Sequence, residues 1–231
     1  MPRYPDKACG MKKARTLQQR LKDSRSKQVI FLSHCILNEN TRYLGGACRS
    51  GCVREIVEQC LESDWGIVQM PCPEQHAWGG VTKRWLLMAY GTKGTLLYSM
   101  SSLFLPLFLL YTRLIYGRLA KATASQINDY LASGYSVIGL IGIDGSPSCG
   151  VNTTLDFERS FELAASMDIN SVTVEQMNTI IRQGLTGGRG LFTIALRKEL
   201  ARRHIDLPFR AHDLIAEMNG ETSSAGATLG S

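Results

Sequence analysis

Three apolar runs of strand type each lead into a cysteine, and this repeated arrangement limits what the chain can fold into. VIFLSHC leads to Cys35, GIVQMPCPE to Cys72 and VIGLIGIDGSPSCGVN to Cys149. Short, continuous apolar runs rich in β-branched side chains mark strands buried on both faces, as in parallel sheets covered by helices. In an open parallel sheet the carboxyl ends of the strands share one rim, and ligands bind along it. Three thiols far apart in sequence are therefore expected to meet at one rim of an α/β fold, a mainly parallel, open sheet flanked by helices.

The punctuation between these runs supports that reading. Residues 27–33 read as a first strand, residues 66–70 as a second and residues 135–143 as a third, with a last strand over 206–211. The prolines at 71 and 73 cannot continue a central ladder, so the second strand stops there and holds Cys72 and Glu74 in a stiff turn. From Cys52 onward, Val53, Ile56, Val57, Cys60 and Leu61 fall on one helical face. Cys60 then reads as a core residue, and Cys48 and Cys52 as small residues at a helix start. Residues 152–168 read as loop-like, 173–183 as a helix capped by Ser171 or Thr173, and 191–205 as a further helix. The glycines at 187, 188 and 190 precede that last helix; with no strand before them, they read as a turn rather than a phosphate loop.

Residues 95–112 contain no charged side chain. The run is slightly short of the roughly 20 residues needed to cross a bilayer, and it contains Pro106. It reads as an apolar helical insertion over 95–118, buried or lying on a membrane surface rather than spanning, with a soluble amphipathic helix resuming over 118–133. The net charge is +6, and residues 1–27 hold nine Lys or Arg against two acids, so nearly all the basicity sits in an N-terminal arm. Without interleaved aromatics or a nucleic-acid-binding motif, no nucleic acid is expected as a partner. A peripheral membrane contact through 95–112 is the second expectation for that charge. The body of the chain then reads as a single domain over 28–218, followed by a disordered tail over 219–231.

The cysteine count is odd, seven in 231 residues, and no secretory signal precedes them. Reduced thiols in a cytoplasmic, or membrane-associated, protein are expected rather than a disulfide framework. Thiolates select zinc, Cu(I) or iron–sulfur clusters. Structural zinc generally takes four ligands, often from CxxC pairs, and the three focal cysteines form no such pair. One cysteine from each of three strand ends better suits a compact cluster, and a 4Fe-4S cluster held by three thiolates keeps one iron open.

SHCILNENTRYLGG, PCPE and GSPSCG, in this order, resemble the signature motifs of the thiouracil desulfidase family, iron–sulfur enzymes that remove sulfur from thiolated pyrimidines. The resemblance covers about residues 28–151. It implies a Rossmann-like α/β sheet, and a 4Fe-4S cluster held by Cys35, Cys72 and Cys149. It also implies a small thiolated, thiouracil-like substrate and hydrolytic, non-redox release of sulfur as hydrosulfide. Many relatives carry a cysteine where this chain has Thr41, a departure that falls on the substrate side of the pocket. Glu74 is the first choice for general base or acid and Asp144 the second. Ser146 and Ser148 are placed to hydrogen-bond a cluster sulfur or the substrate. Two alternatives belong to other classes: an iron–sulfur module for electron transfer or redox sensing, and a zinc-stabilised, membrane-associated interaction domain.

Overall fold

The computed structural model describes residues 7–88 and 91–221. In chain order it contains helix α1 (Lys7–Arg20), strand β1 (Gln28–Leu32), short helix α2 (His34–Leu37), a 3-10 turn (Glu39–Thr41), α3 (Arg54–Glu62), β2 (Gly66–Gln69), α4 (Pro73–Ala77), α5 (Arg84–Met88) and α6 (Leu96–Ser99). Then come α7 (Ser101–Ala132), β3 (Ser136–Asp144), β4 (Thr153–Leu155), α8 (Phe157–Ala165), α9 (Val174–Gly184), β5 (Leu185–Gly187), α10 (Leu191–Ala201), β6 (Phe209–Asp213) and α11 (Leu214–Met218). The disordered tail expected from residue 219 lies beyond Glu221 outside the described residues.

The fold is α/β. Strands β1, β2, β3 and β6 form one four-stranded sheet in the order β2-β1-β3-β6, and every pairing in it is parallel. Alternation along β1 explains why both faces must be covered. Val29 and Phe31 pack with Tyr116, Ala120, Ala124 and Ile127 of α7 and with Phe192, Leu196 and Leu200 of α10. Ile30 and Leu32 point the other way, onto Ile36, Val53, Ile56 and Cys60 around α3, with Leu214 of α11. The chain leaves β1 for β2 on one side and returns to place β3 on the other. The crevice at the carboxyl ends of β1 and β3 is thus the point where strand order reverses, the usual ligand position in such sheets.

Several sequence-based expectations change at this level. The apolar insertion and the amphipathic helix after it are one helix: α7 runs unbroken from Ser101 to Ala132, with Pro106 in its second turn. Residues 152–168 contain β4 and α8 rather than a loop, because Asp156 caps the Arg159 amide of a helix whose Phe157, Phe161 and Ala165 share a face. Leu61, read onto the buried face of α3, is 65% exposed, since it lies at the edge of the stripe formed by Val53, Ile56 and Cys60. Cys48 and Cys52 precede α3 and stand on no helix. Strand β5 immediately precedes the glycine run, pairing antiparallel with β4. The last strand is Phe209–Asp213, a few residues later than the sequence suggested. Thr173 does cap α9, in a reciprocal capping box with Gln176.

Helix α7 is long and apolar enough to cross a membrane by length and composition. Its placement divides it in two. From Thr112 onward one face is built into the core, and the Thr112 hydroxyl accepts a hydrogen bond from the Trp78 indole at 3.1 Å. Residues 101–111 carry no buried side chain, and Leu103, Leu107, Leu110 and Leu114 form an exposed row at spacings of four, three and four. At 1.5 Å per residue the part before Thr112 is about 16 Å long, roughly half a hydrocarbon core.

Candidate functional site

The three cysteines occupy equivalent places after three strands. Cys35 follows β1 in the first turn of α2, Cys72 follows β2 at the cap of α4, and Cys149 follows β3 in the loop over 145–152. All three line one cavity of about 580 Å³ at the carboxyl rim of the sheet. The six cysteines whose side chains are described are free. Among the described residues no three His, Cys, Asp or Glu side chains converge on the position of a single metal ion. Three thiols lining one cavity without sharing a single-ion position are compatible with a polynuclear core, in which each iron takes its own thiolate.

The local sequence fixes each thiol. Pro73 stands at the first position of α4, where its missing N–H is no loss, and the Gln75 amide donates to the Cys72 sulfur at 3.4 Å. Around Cys149, the Ser146 hydroxyl accepts from the Ser148 and Cys149 amides at 3.3 and 3.1 Å. The first amides of α10 close the loop from behind: Leu191 donates to the Pro147 carbonyl, and Phe192 and Thr193 donate to that of Ser148. The helix start after the glycine run is therefore spent on holding the cysteine loop rather than on phosphate. Two glycines make the close approach feasible. A Cβ at Gly142 would overlap the Cys149 carbonyl, and one at Gly190 would overlap that of Ser148.

Burial pushes the thiols up: Cys72 to about 11, Cys149 to about 12, and Cys35 well above the ordinary thiol range. For Cys35, burial is the first cause and the neighbouring Cys149 and Cys72 add to it. Opposing this, the Ser148 hydroxyl stands 3.6 Å from the Cys149 sulfur, and the Ser33 hydroxyl favours the same thiolate. Ser33 is wholly buried at the cap position of α2, and its hydroxyl makes no cap bond and has no other full hydrogen-bond partner. Three thiols held together without a cation are protonated, and a bound metal core supplies the charge that ionises them. The donor set, with hydroxyl and amide donors aimed at the sulfurs, fits an iron–sulfur cluster.

Glu74 is the acid that faces this centre. Its carboxylate accepts from the Ser148 hydroxyl at 2.9 Å and from Ser146 at 3.5 Å, and pairs with Lys83 at 3.3 Å. Asp144, the second choice from the sequence, is bonded within the cysteine loop. It does not line the cavity; its carboxylate accepts the amides of Val151, Asn152 and Thr153 and the Asn152 side chain, clamping the end of the cysteine loop. Three of these bonds fall on Oδ1 and one on Oδ2, so the carboxylate holds the loop that carries Cys149. His34 lines the cavity, bonded to Gln69, with its pKa lowered by burial and then by His76; His76 itself does not line it.

Lys83 was not legible in the sequence. It is 5% exposed, its backbone lies in the left-handed region at φ +53, and its ammonium donates to the Thr41 carbonyl at 2.9 Å besides pairing with Glu74. A non-glycine residue in that conformation is held against an intrinsic cost of about 1–2 kcal/mol, here in return for a fixed cation beside the acid. No sequence signal marks it beyond the preceding Gly79-Gly80 turn. The ENTR stretch after Cys35 also builds structure: buried Glu39, Arg42 and Glu217 interlock with Arg49, with Arg42 Nη1 2.6 Å from Glu217 and Arg42 Nη2 3.2 Å from Glu39. This network ties the loop after α2 to α11.

Much of the remaining cavity lining is apolar. Its wall comes from α8, α9 and the link between them, with Leu86 and Leu87 of α5 at another side. Reading residues 152–168 as a loop hid this wall. The Phe157 and Phe161 spacing behind an Asp156 cap was the signal that could have found it.

No family model and no solved structure matches the chain. It is similar to an uncharacterized protein of Methanocaldococcus jannaschii, 28% identical over 164 residues that cover 68% of this chain and 85% of that protein.

Proposed function

We propose that the protein is an iron–sulfur-dependent, non-redox desulfidase acting on a small thiolated compound. The observation that carries this reading is the meeting of Cys35, Cys72 and Cys149 on one cavity with Glu74 beside them. Cys35, Cys72 and Cys149 would hold a 4Fe-4S cluster, which when bound supplies a Lewis-acidic iron with an open position for a soft thiocarbonyl sulfur.

The chain's own groups do the rest. Glu74, the acid within reach of that centre, takes a proton from the water that attacks the thiocarbonyl carbon. Ser148 donates to one Glu74 oxygen and Lys83 holds the other, so the carboxylate keeps one orientation through the proton transfer. The proton gained by Glu74 is then available to the departing sulfur, giving hydrosulfide and leaving an oxygen on carbon; no electrons are exchanged. The apolar wall keeps bulk water from the reacting carbon and strengthens each polar contact on the floor. Anaerobic incubation of the reconstituted protein with 2-thiouracil and other thio-bases, read as free sulfide, tests the assignment. Sulfide release lost on Glu74→Gln supports it; a reconstituted cluster with no sulfide from any thio-compound favours an electron-transfer or sensing module instead.

For location we propose a cytoplasmic protein in peripheral contact with a membrane. The exposed row at Leu103, Leu107, Leu110 and Leu114 supports this, together with the basic arm, part of which forms α1. Phe108 on the same segment packs against Trp78, so only the outer row of leucines meets lipid, over about half a bilayer's apolar thickness and in one leaflet. Cosedimentation with anionic vesicles, abolished by Leu103→Gln and Leu107→Gln together, is the expected result; unchanged sedimentation of the double variant contradicts the contact.

A further inference from the structure

The cavity is larger and greasier than its polar floor needs. Cys35, Cys72, Cys149, Glu74 and Lys83 all line the 580 Å³ space. Its apolar lining includes Phe157, Phe161, Ile169, Val174, Met177 and Ile180, carried by α8, α9 and the link between them. A pyrimidine ring seeks hydrogen-bond partners around its whole edge, and this wall offers few. It offers the Thr173 hydroxyl, whose oxygen already accepts from the Gln176 amide of α9, and Ser160, whose hydroxyl is buried without a partner. A volume of this size is in the range, about 300–1,000 Å³, that encloses drug-sized ligands against mainly apolar walls. At the mouth Ile169 and Val174 are more than half exposed, at 54% and 57%. Apolar side chains left open beside a deep apolar wall are covered when a ligand of the same character enters.

We infer that the substrate is a thiocarbonyl compound carrying a sizeable apolar substituent, an alkyl chain or an aryl group, which lies along α8 and α9 while the thiocarbonyl meets the polar floor. The thiocarbonyl end rests on the desulfidase reading; the apolar end rests on the wall itself. Burying a methylene against such a wall strengthens binding about fourfold. The apolar part therefore supplies affinity, while the floor orients the reacting carbon.

The test uses the full-length chain and two series: 2-thiouracils bearing methyl, propyl, pentyl and heptyl chains, and the matching uracils with oxygen in place of sulfur. Sulfide release by the reconstituted protein gives kcat/KM for the first series. Calorimetry on the cluster-free protein gives Kd for the second, independent of any chemistry. The expected result is a rise of about fourfold per methylene in both, with the slope reduced in Phe161→Ala and Met177→Ser. Unmodified 2-thiouracil turned over as fast as every alkylated form, with no gradient in Kd, overturns the inference and leaves the desulfidase reading intact. A clear gradient in Kd with no sulfide from any compound supports the apolar subsite and overturns the desulfidase reading. Absence of both gradient and turnover overturns the two together. Should Phe161→Ala unfold, as circular dichroism would reveal, Met177→Ser alone decides whether the wall sets the slope.

Discussion

Replacing Glu74 by Gln separates what this carboxylate does for the reaction from what it does for the fold. The amide keeps the shape and an acceptor for the Ser148 hydroxyl, now 2.9 Å from Oε1. It removes the charge opposite Lys83, whose ammonium is 3.3 Å away, in a pair with side chains only 7% and 15% exposed. Two unit charges at that distance attract by about 5 kcal/mol at an effective dielectric of about 20. Lys83 keeps its bond to the Thr41 carbonyl and Glu74 retains some solvent, so the net loss is about 2–3 kcal/mol, below the upper range for breaking a fully buried pair. For a chain of this size that lowers Tm by roughly 5–10 °C. Loss of the proton-transfer group lowers kcat by about 10²–10⁴-fold. Thermal melts, iron content and sulfide release on one preparation read the effects apart. Iron stays at the wild-type level, since Glu74 is not a ligand. The double variant Glu74→Gln with Lys83→Met regains most of the stability and none of the activity, because it removes the stranded charge without restoring the acid. Full turnover in Glu74→Gln refutes the assigned role, and an unchanged Tm in the single variant refutes the energetic one.

Three other outcomes follow from the same geometry. Gly142→Ala forces the Cys149 carbonyl out of its place at a cost of about 1–3 kcal/mol, so iron loading on reconstitution falls by more than global stability accounts for; normal loading contradicts the close-packed loop. Cys60→Ala trims a wholly buried core side chain and costs about 1 kcal/mol in a denaturant titration, with iron and sulfide release unchanged. His212 has its pKa lowered to about 4 by burial first, then by Arg42 and Arg49, with Glu39 and Glu55 opposing. The unfolded chain therefore binds the extra proton between pH 6.5 and 4, and stability falls as pH drops through that window. The buried Glu217 carboxylate, 3.1 Å from His212 Nε2, works against that loss, and His212→Asn flattens the acid limb of the stability curve.

The sheet was legible because its strands are continuous apolar runs stopped by prolines, glycines or polar residues, and such punctuation is local. The position of each thiol followed from it: a residue just past a parallel strand has no choice of rim. What was not legible depended on long-range partners. Asp144 and Glu74 are both acids near strand ends, and only the folded loop shows the first clamped by three amides and the second facing the thiols. Lys83 reaches the site from a turn with no motif of its own. The unity of α7 was hidden because its composition changes at Arg113, although its backbone does not. There the helix passes from an exposed row of leucines to a face of Tyr116, Ala120 and Ala124 that the sheet covers.

Iron and acid-labile sulfide counted per chain after anaerobic reconstitution, in the wild type and in Cys35→Ala, Cys72→Ala and Cys149→Ala, bear most directly on the three-thiol centre. About four of each in the wild type, with a broad visible absorption band that disappears in every single variant while Cys60→Ala keeps it, is the expected result. Wild-type loading in any one of the three variants, or a wild-type protein that takes up zinc tightly and no iron, contradicts it.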